Sequence, residues 1–167
     1  MLTLVINTSF TPNSSAGKVS ALVANEFYGQ LTDLTSFKDA FTGTYLYEDS
    51  VFSPYQATCI KQLIKADNLV FVVSTYYKLM PGMFKNFLDM VRIKAIYENK
   101  TIGLIANSHK NQDFGARATL TTLMGISEFH NSKTTFVPYI PIIDPETPDM
   151  YSLREYRAYF RRFSGEV

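Results

Sequence analysis

The sequence predicts a single-domain, three-layer α/β sandwich. Short apolar runs alternate with helical stripes five times along the chain, the order of a parallel sheet with right-handed crossovers. Asn68 to Val73 is continuously apolar rather than alternating, as in a strand covered on both faces. The chain has 167 residues, 46% hydrophobic and 19% charged against a usual ~25%, enough for one filled core without disulfide or structural metal.

Taken in order, Leu2 to Ile6 is a short apolar strand that stops at Asn7-Thr8-Ser9. Val19, Leu22, Val23 and Phe27 then form a helical stripe, and Thr32 to Phe37 is a weak second strand. Ser53, Pro54 and Gln56 read as a capping box that opens a helix through Ile60, Leu63 and Ile64. Asn68 to Val73 is the expected central strand. Pro81 opens the next helix, Lys100 to Ala106 is another buried strand, and Asp113 is expected to cap a helix carrying Leu120, Leu123 and Met124. Thr134 to Tyr139 supplies a fifth strand. Ser152-Leu153-Arg154-Glu155 reads as a second capping box, with Leu153, Tyr156, Phe160 and Phe163 turned inward. The prolines between Pro138 and Asp149 belong to an ordered connection, so residues 1–167 form one domain.

Bulk properties exclude more than they assign. Sixteen basic and fifteen acidic residues leave a formal +1, which gives no general field for nucleic acid, a membrane surface or an acidic partner. Neither a signal peptide nor a membrane span is expected. The single Cys59 fits a reducing, cytoplasmic setting and reads as a buried, inert thiol. His109 and His130 lack the neighbours that a general base or a metal site needs, so neither a metal nor a catalytic side chain is expected. The basic residues of the last helix, Arg154, Arg157, Arg161 and Arg162, read as its solvated face.

In a doubly wound sheet, ligands sit beyond the carboxyl ends of the strands, where the strand order reverses. Three loops meet that description. The first, Asn7 to Lys18, carries five hydroxyl side chains, Thr8, Ser9, Thr11, Ser14 and Ser15, just before a helix N-terminus. With Asn13 they form a cradle suited to a phosphate. It holds neither Gly-x4-Gly-Lys-Ser/Thr nor Gly-x-Gly-x-x-Gly, so a monophosphate fits better than a nucleoside triphosphate or a dinucleotide. The second loop puts Ser74, Thr75, Tyr76 and Tyr77 at the tip of the central strand, with flat rings that suit a planar ligand. The third, from Asn107, Ser108 and His109 to Arg117, is polar enough to bond a heteroaromatic edge. On the helix after Pro81, Met83, Phe84, Phe87, Leu88, Met90 and Val91 span an apolar arc of about 160°, more than one sheet needs, so further cover is expected on it, a subunit partner first and the long loops of the same chain as the alternative.

Ala66 to Asp89, with Leu69-Val70-Phe71-Val72-Val73 running into Pro81-Gly82-Met83-Phe84-Lys85-Asn86-Phe87-Leu88-Asp89, resembles the NADPH-dependent FMN reductase family. That family's pattern is an apolar strand, then Thr-Pro-Glu-Tyr-Asn, then Pro-Gly-x-x-Lys-Asn-x-x-Asp; Gly115-Ala116-Arg117-Ala118 is similar to its Gly-Ala-Arg-Ala. The resemblance covers roughly residues 2 to 140. It implies a flavodoxin-like fold, a five-stranded parallel sheet in the order 2-1-3-4-5 with helices on both faces. It also implies FMN as cofactor, NADPH or NADH as reductant, and a homodimer or homotetramer through the helix starting at Pro81. Ser9 and Ser14 fall on the family's two phosphate-loop serines and Tyr76 on the tyrosine beside the flavin ring. Thr8 stands where the family has glycine, Thr11 where it has arginine, Ser74-Thr75 in place of Pro-Glu, and Tyr77 in place of asparagine.

The expected activity is hydride transfer from a nicotinamide to FMN and on to a small acceptor such as a flavin, a quinone or an azo compound. Two other readings stand beside it. One is a flavodoxin-type electron carrier, against which the near-zero net charge argues, because such carriers are usually strongly acidic. The other is a non-catalytic relative acting as an interaction protein.

Overall fold

A computed structural model of the chain describes residues 1–9, 11, 14–33, 54–75, 79–90, 94–107, 113–130, 132–136 and 149–164. Five strands, β1 (Thr3–Asn7), β2 (Gln30–Asp33), β3 (Asn68–Ser74), β4 (Lys100–Asn107) and β5 (Thr134–Phe136), form one sheet in the order β2-β1-β3-β4-β5. Every neighbouring pair is parallel, with Asn7 opposite Val72, Ser74 opposite Asn107, and Ile102 opposite Phe136. The helices are α1 (Ser15–Glu26), α2 (Pro54–Lys65), α3 (Gly82–Met90), α4 (Asp113–Phe129) and α5 (Met150–Ser164), and a 3-10 turn at Lys94–Ile96 precedes β4.

The continuous apolar runs explain the layering. Alternate residues of β1, β3 and β4 face opposite sides, so each strand feeds two cores. Val5, Val70, Val72 and Ile105 pack under α1 and α5, against Val19, Val23, Phe27, Leu153 and Phe160. Leu4, Leu69, Phe71 and Leu104 pack on the other side with Leu63, Phe84, Phe87, Leu88 and Leu123. All five positions of β1 and all seven of β3 are buried, which makes β3 central in packing as well as in order.

Several boundaries follow local chemistry that the sequence reading did not use. α1 ends in a Schellman motif: Gly29 N–H bonds the Ala24 carbonyl at 2.8 Å and Tyr28 N–H that of Asn25 at 3.2 Å, with Tyr28 in the left-handed region at φ 51°. A Cβ on Gly29 would lie 3.0 Å from the Thr3 carbonyl oxygen, so the chain turns back onto β1 through a position that favours glycine. The last helix starts earlier than expected. Asp149, not Ser152, is its cap; the Asp149 carboxylate accepts from the Tyr151 and Ser152 amides at 3.0 and 3.2 Å and from the Ser152 hydroxyl at 2.6 Å. Ser152, inside the first turn, donates both its amide and its hydroxyl to that one carboxylate. Asp113 is the first residue of α4. At the far end of α2, the buried Lys100 ammonium donates to the Ile64 carbonyl at 3.0 Å and to that of Ala66, closing a helix C-terminus with a cation. Burial lowers the Lys100 pKa, and Asp67 works against that shift. Ser53, Val91 and the outer parts of the expected second and fifth strands, residues 34–37 and 137–139, lie outside the described residues.

The apolar arc after Pro81 is largely covered within the chain: Phe84, Phe87 and Leu88 are buried and Met83 is half-buried. Phe84 stacks on Phe87 with ring centres 6.1 Å apart and leans on Phe71 of β3 at 5.4 Å. Those three side chains therefore call for no partner subunit. No helix among the described residues is long and apolar enough to cross a membrane. Cys59 is 1% exposed, and burial pushes its thiol up to about 12, as suits an inert core residue.

Candidate functional site

The strand order reverses between β1 and β3: from β1 the chain goes outward to β2, then crosses back to β3 on the other side. The crevice of such a sheet opens there, at the carboxyl ends. β3 runs two residues past the end of β1, because Asn7 lies opposite Val72 while β3 ends at Ser74. The loop after β1 therefore lies beside a taller neighbour.

That loop is braced by its own polar side chains. Thr8 is fully buried, and both its amide (3.1 Å) and its hydroxyl (3.0 Å) donate to the Val72 carbonyl, pinning the chain to β3 as it leaves the sheet. Thr8 is thus a structural pin and not a ligand group, a role nothing in the sequence pattern signals. The buried Asn7 carboxamide oxygen accepts the Ser9 amide at 3.0 Å, the Ser9 hydroxyl accepts the Thr11 amide at 3.3 Å, and the Thr11 carbonyl accepts the Ser14 amide at 3.2 Å. The first two steps are short Asx- and Ser/Thr-type turns and the third is a backbone turn. Ser14 then caps α1, its hydroxyl accepting the Gly17 amide at 3.1 Å. Ser9 is buried, Thr11 exposed, and Ser14 and Ser15 half-buried.

The chemistry of this donor set suits a phosphate ester. The hydroxyls of Ser9 and Ser14 are held as acceptors by backbone amides, so each still has a proton to give. The first turn of α1 carries no acidic residue to offset the positive end of the helix. Hydroxyl protons converging on a helix N-terminus are what a phosphate monoester needs. The residues present thus fit the phosphate end of FMN.

Of the other expected site residues, Ser74 closes β3 and is buried, Thr75 follows it half-buried, and Asn107 closes β4 directly opposite Ser74. Ser9, Ser74 and Asn107 therefore stand at the same edge of the sheet, on three adjacent strands or the loops leaving them. Asn13, Tyr76, Tyr77, Ser108 and His109 lie outside the described residues.

Another opening lies elsewhere. A groove of about 250 Å³ between α3 and α4 is lined by Leu88, Asp89, Gly125, Ile126, Phe129 and His130, with Thr122. His130 stacks on Tyr97 at 6.0 Å, and Tyr97 leads into the amino end of β4, so the groove is at the opposite end of the sheet from the three loops. It offers no hydroxyl cradle and no helix N-terminus. The loop crevice, not this groove, has the chemistry of a flavin phosphate site.

The profile of the NADPH-dependent FMN reductase family matches residues 1–137. The chain belongs to the NADPH-dependent FMN reductase family. Membership makes it an oxidoreductase that works with FMN and a reduced nicotinamide. None of the curated proteins matches the chain. Among solved structures, an NADH:FMN oxidoreductase (EmoB) in its apo form is 13% identical, covers 100% of this chain and 90% of its own, and superposes with a TM-score of 0.69. A flavodoxin, WrbA-like protein from Agrobacterium tumefaciens is 18% identical over 99% of this chain and 95% of its own, with a TM-score of 0.67. An NAD(P)H:quinone oxidoreductase from Methanothermobacter marburgensis is 15% identical over 98% and 97%, with a TM-score of 0.64. At these identities the likeness shows the flavodoxin-like fold.

The family motif can now be read in physical terms. Lys85 and Asp89 of Pro-Gly-x-x-Lys-Asn-x-x-Asp form an i,i+4 ion pair at 2.6 Å on the outer face of α3. The aromatic residues between them, Phe84 and Phe87, fill the core. That part of the motif builds the helix behind the second loop, and the Gly115 of Gly-Ala-Arg-Ala is buried in the first turn of α4, its carbonyl accepting the Thr119 hydroxyl at 2.8 Å.

Proposed function

We propose that the protein is a NAD(P)H-dependent flavin reductase that takes hydride from NADPH or NADH through FMN to a small planar acceptor, such as free flavin, a quinone or an azo compound. The observation that carries this reading is the braced hydroxyl loop at the switch point of a chain of this family. Bound FMN supplies acceptance of hydride from the nicotinamide and its delivery to the acceptor. The chain's own residues bind and orient. Ser9, Thr11, Ser14 and Ser15 hold the phosphate, with Asn13 on the same loop, and the segments Ser74 to Tyr77 and Asn107 to His109 flank the ring. No side chain is asked to act as acid or base; the contribution of the protein is proximity and a fixed orientation.

The near-zero net charge, +1 over 167 residues, supports an enzyme over an electron carrier that docks through an acidic face. A cytoplasmic setting goes with it, since the lone Cys59 thiol is suited to a reducing compartment. A homodimer or homotetramer is part of the same proposal. The exposed Phe129 and Met124 on α4 support the neighbourhood of the α3–α4 groove as the contact face.

The test is an anaerobic absorbance spectrum of the purified protein with FMN, before and after NADPH. A bound flavin band that bleaches on adding NADPH, together with steady NADPH oxidation once a quinone is present, supports the reading. A band that bleaches with dithionite but not with NADPH or NADH would point to the carrier, and a protein that leaves FMN unbound would point to the interaction protein.

A further inference from the structure

We infer that Thr8 is a positioning residue for FMN: its buried hydroxyl holds the loop that takes the phosphate at a fixed distance from the strand end that flanks the ring. The inference rests on the flavin reading above and deepens it. Asn7 is the last residue of β1 and lies opposite Val72, so the Thr8 amide, bonded to the Val72 carbonyl at 3.1 Å, continues the ladder one residue past the strand. The Thr8 hydroxyl adds a second bond to the same carbonyl at 3.0 Å. A chain that leaves a sheet on one amide bond can swing about it, and a second donor from the same residue removes that freedom. Thr8 is fully buried, so its hydroxyl acts through its neighbours and not on a ligand. Those neighbours belong to both parts of the site. Ser9 follows directly, its amide held by the Asn7 carboxamide and its hydroxyl accepting the Thr11 amide. On β3, Val72 stands two residues before Ser74, where the segment that flanks the ring begins.

The phosphate and the ring of FMN meet the protein at two separate segments and are joined by a flexible ribityl chain. What the second end adds to binding therefore depends on how well the protein keeps the two segments at the matching separation. Riboflavin carries the same ring without the phosphate and does not sense where the loop stands. Loosening the pin should weaken FMN and spare riboflavin. The bond in question is a neutral hydroxyl-to-carbonyl pair inside the protein, whose net worth corresponds to roughly two- to tenfold in the population of the pinned loop. Apparent affinity falls with that competent fraction. A purely structural role would lower the stability of the fold and move both flavins together.

The experiment titrates the full-length protein with FMN and with riboflavin by quenching of flavin fluorescence, for the wild type, Thr8→Val, Thr8→Ala and Thr8→Ser, with a thermal melt of each apoprotein. Thr8→Val keeps nearly the same shape and leaves the Val72 carbonyl its amide donor. The FMN-over-riboflavin preference is expected to fall roughly two- to tenfold in Thr8→Val and Thr8→Ala. Thr8→Ser, which keeps the hydroxyl, is expected to hold the wild-type preference. If Thr8→Val does not fold, the comparison of Thr8→Ala with Thr8→Ser carries the same test. An unchanged preference in the folded variants without the hydroxyl, even with a lowered melting midpoint, overturns the inference. So does an equal loss in Thr8→Ser, or a wild type that binds the two flavins alike. Each of these leaves the flavin reading intact, whereas a protein that binds neither flavin overturns both.

Discussion

The hydroxyl of Tyr156 on α5 accepts a hydrogen bond from the Leu104 amide of β4 at 3.0 Å, across 52 residues of sequence. The described pairing of β4 with β5 stops at Ile102 opposite Phe136, so two residues further on a side chain stands where a strand would be. Tyr156 is 3% exposed, and burial raises its pKa, so it stays a neutral phenol that both fills the core and satisfies a buried backbone donor. This contact fixes α5 to the edge half of the sheet.

Tyr156→Phe keeps the ring and removes the acceptor. Leaving the Leu104 amide buried and unpaired is expected to cost about 1–3 kcal/mol of stability. Urea unfolding followed by circular dichroism measures it; an unchanged midpoint would show that water or another group takes over the amide.

Gly103 lies directly beneath the same helix. A Cβ there would come within 2.8 Å of the Tyr156 hydroxyl and 2.9 Å of Phe160 Cε2, both rings held in the core. Gly103→Ala should lower stability by about 1–3 kcal/mol through overpacking, although alanine is the better strand and helix former in isolation. A thermal melt with no loss of midpoint contradicts the tight packing.

Ser14 has two roles that one substitution separates. Ser14→Ala removes the cap of α1 and should cost ~1 kcal/mol of stability. It should also weaken FMN binding by roughly tenfold or more while riboflavin binding stays the same, since one hydrogen bond to a charged phosphate is lost. Equal loss for both flavins would place Ser14 away from the phosphate.

Asp149 makes stability depend on acid. Its carboxyl is held below the usual carboxylate range, chiefly by the Ser152 hydroxyl and then by the Ser152 amide. A depressed folded pKa means the native state binds the proton less readily, so the cap's contribution is present above the ordinary carboxylate pKa of ~3.9 and is lost as pH falls through the lower, folded value. The stability gap between wild type and Asp149→Ala should be constant near neutrality and shrink in acid. A gap that stays level down to pH 2 removes the carboxylate from the cap.

The layered order of strands and helices was legible because a strand buried on both faces has to be apolar throughout, and β1 and β3 are. Cys59 as a core thiol and a hydroxyl-rich loop at the head of α1 followed from composition and local pattern. Other features depend on partners distant in sequence. Thr8 looks like one more hydroxyl of a phosphate loop until Val72 is seen beside it. Asp149 and Ser152 are both cap-forming residue types, and only the backbone path chooses between them. Amphipathicity counts the apolar positions of α3 without counting what covers them; Phe84 and Phe87 are covered within the chain, by each other and by Phe71 on β3. Tyr156, one of 11 tyrosines, carries no mark in the sequence that distinguishes a buried acceptor from a surface ring.

The most direct test of the account is a crystal structure of the protein with FMN. The account predicts the phosphate within hydrogen-bonding distance of the Ser9 and Ser14 hydroxyls at the head of α1, with the ring extending across the carboxyl ends of β3 and β4. Flavin density in the α3–α4 groove beside Phe129, with nothing at the loop after β1, would contradict it.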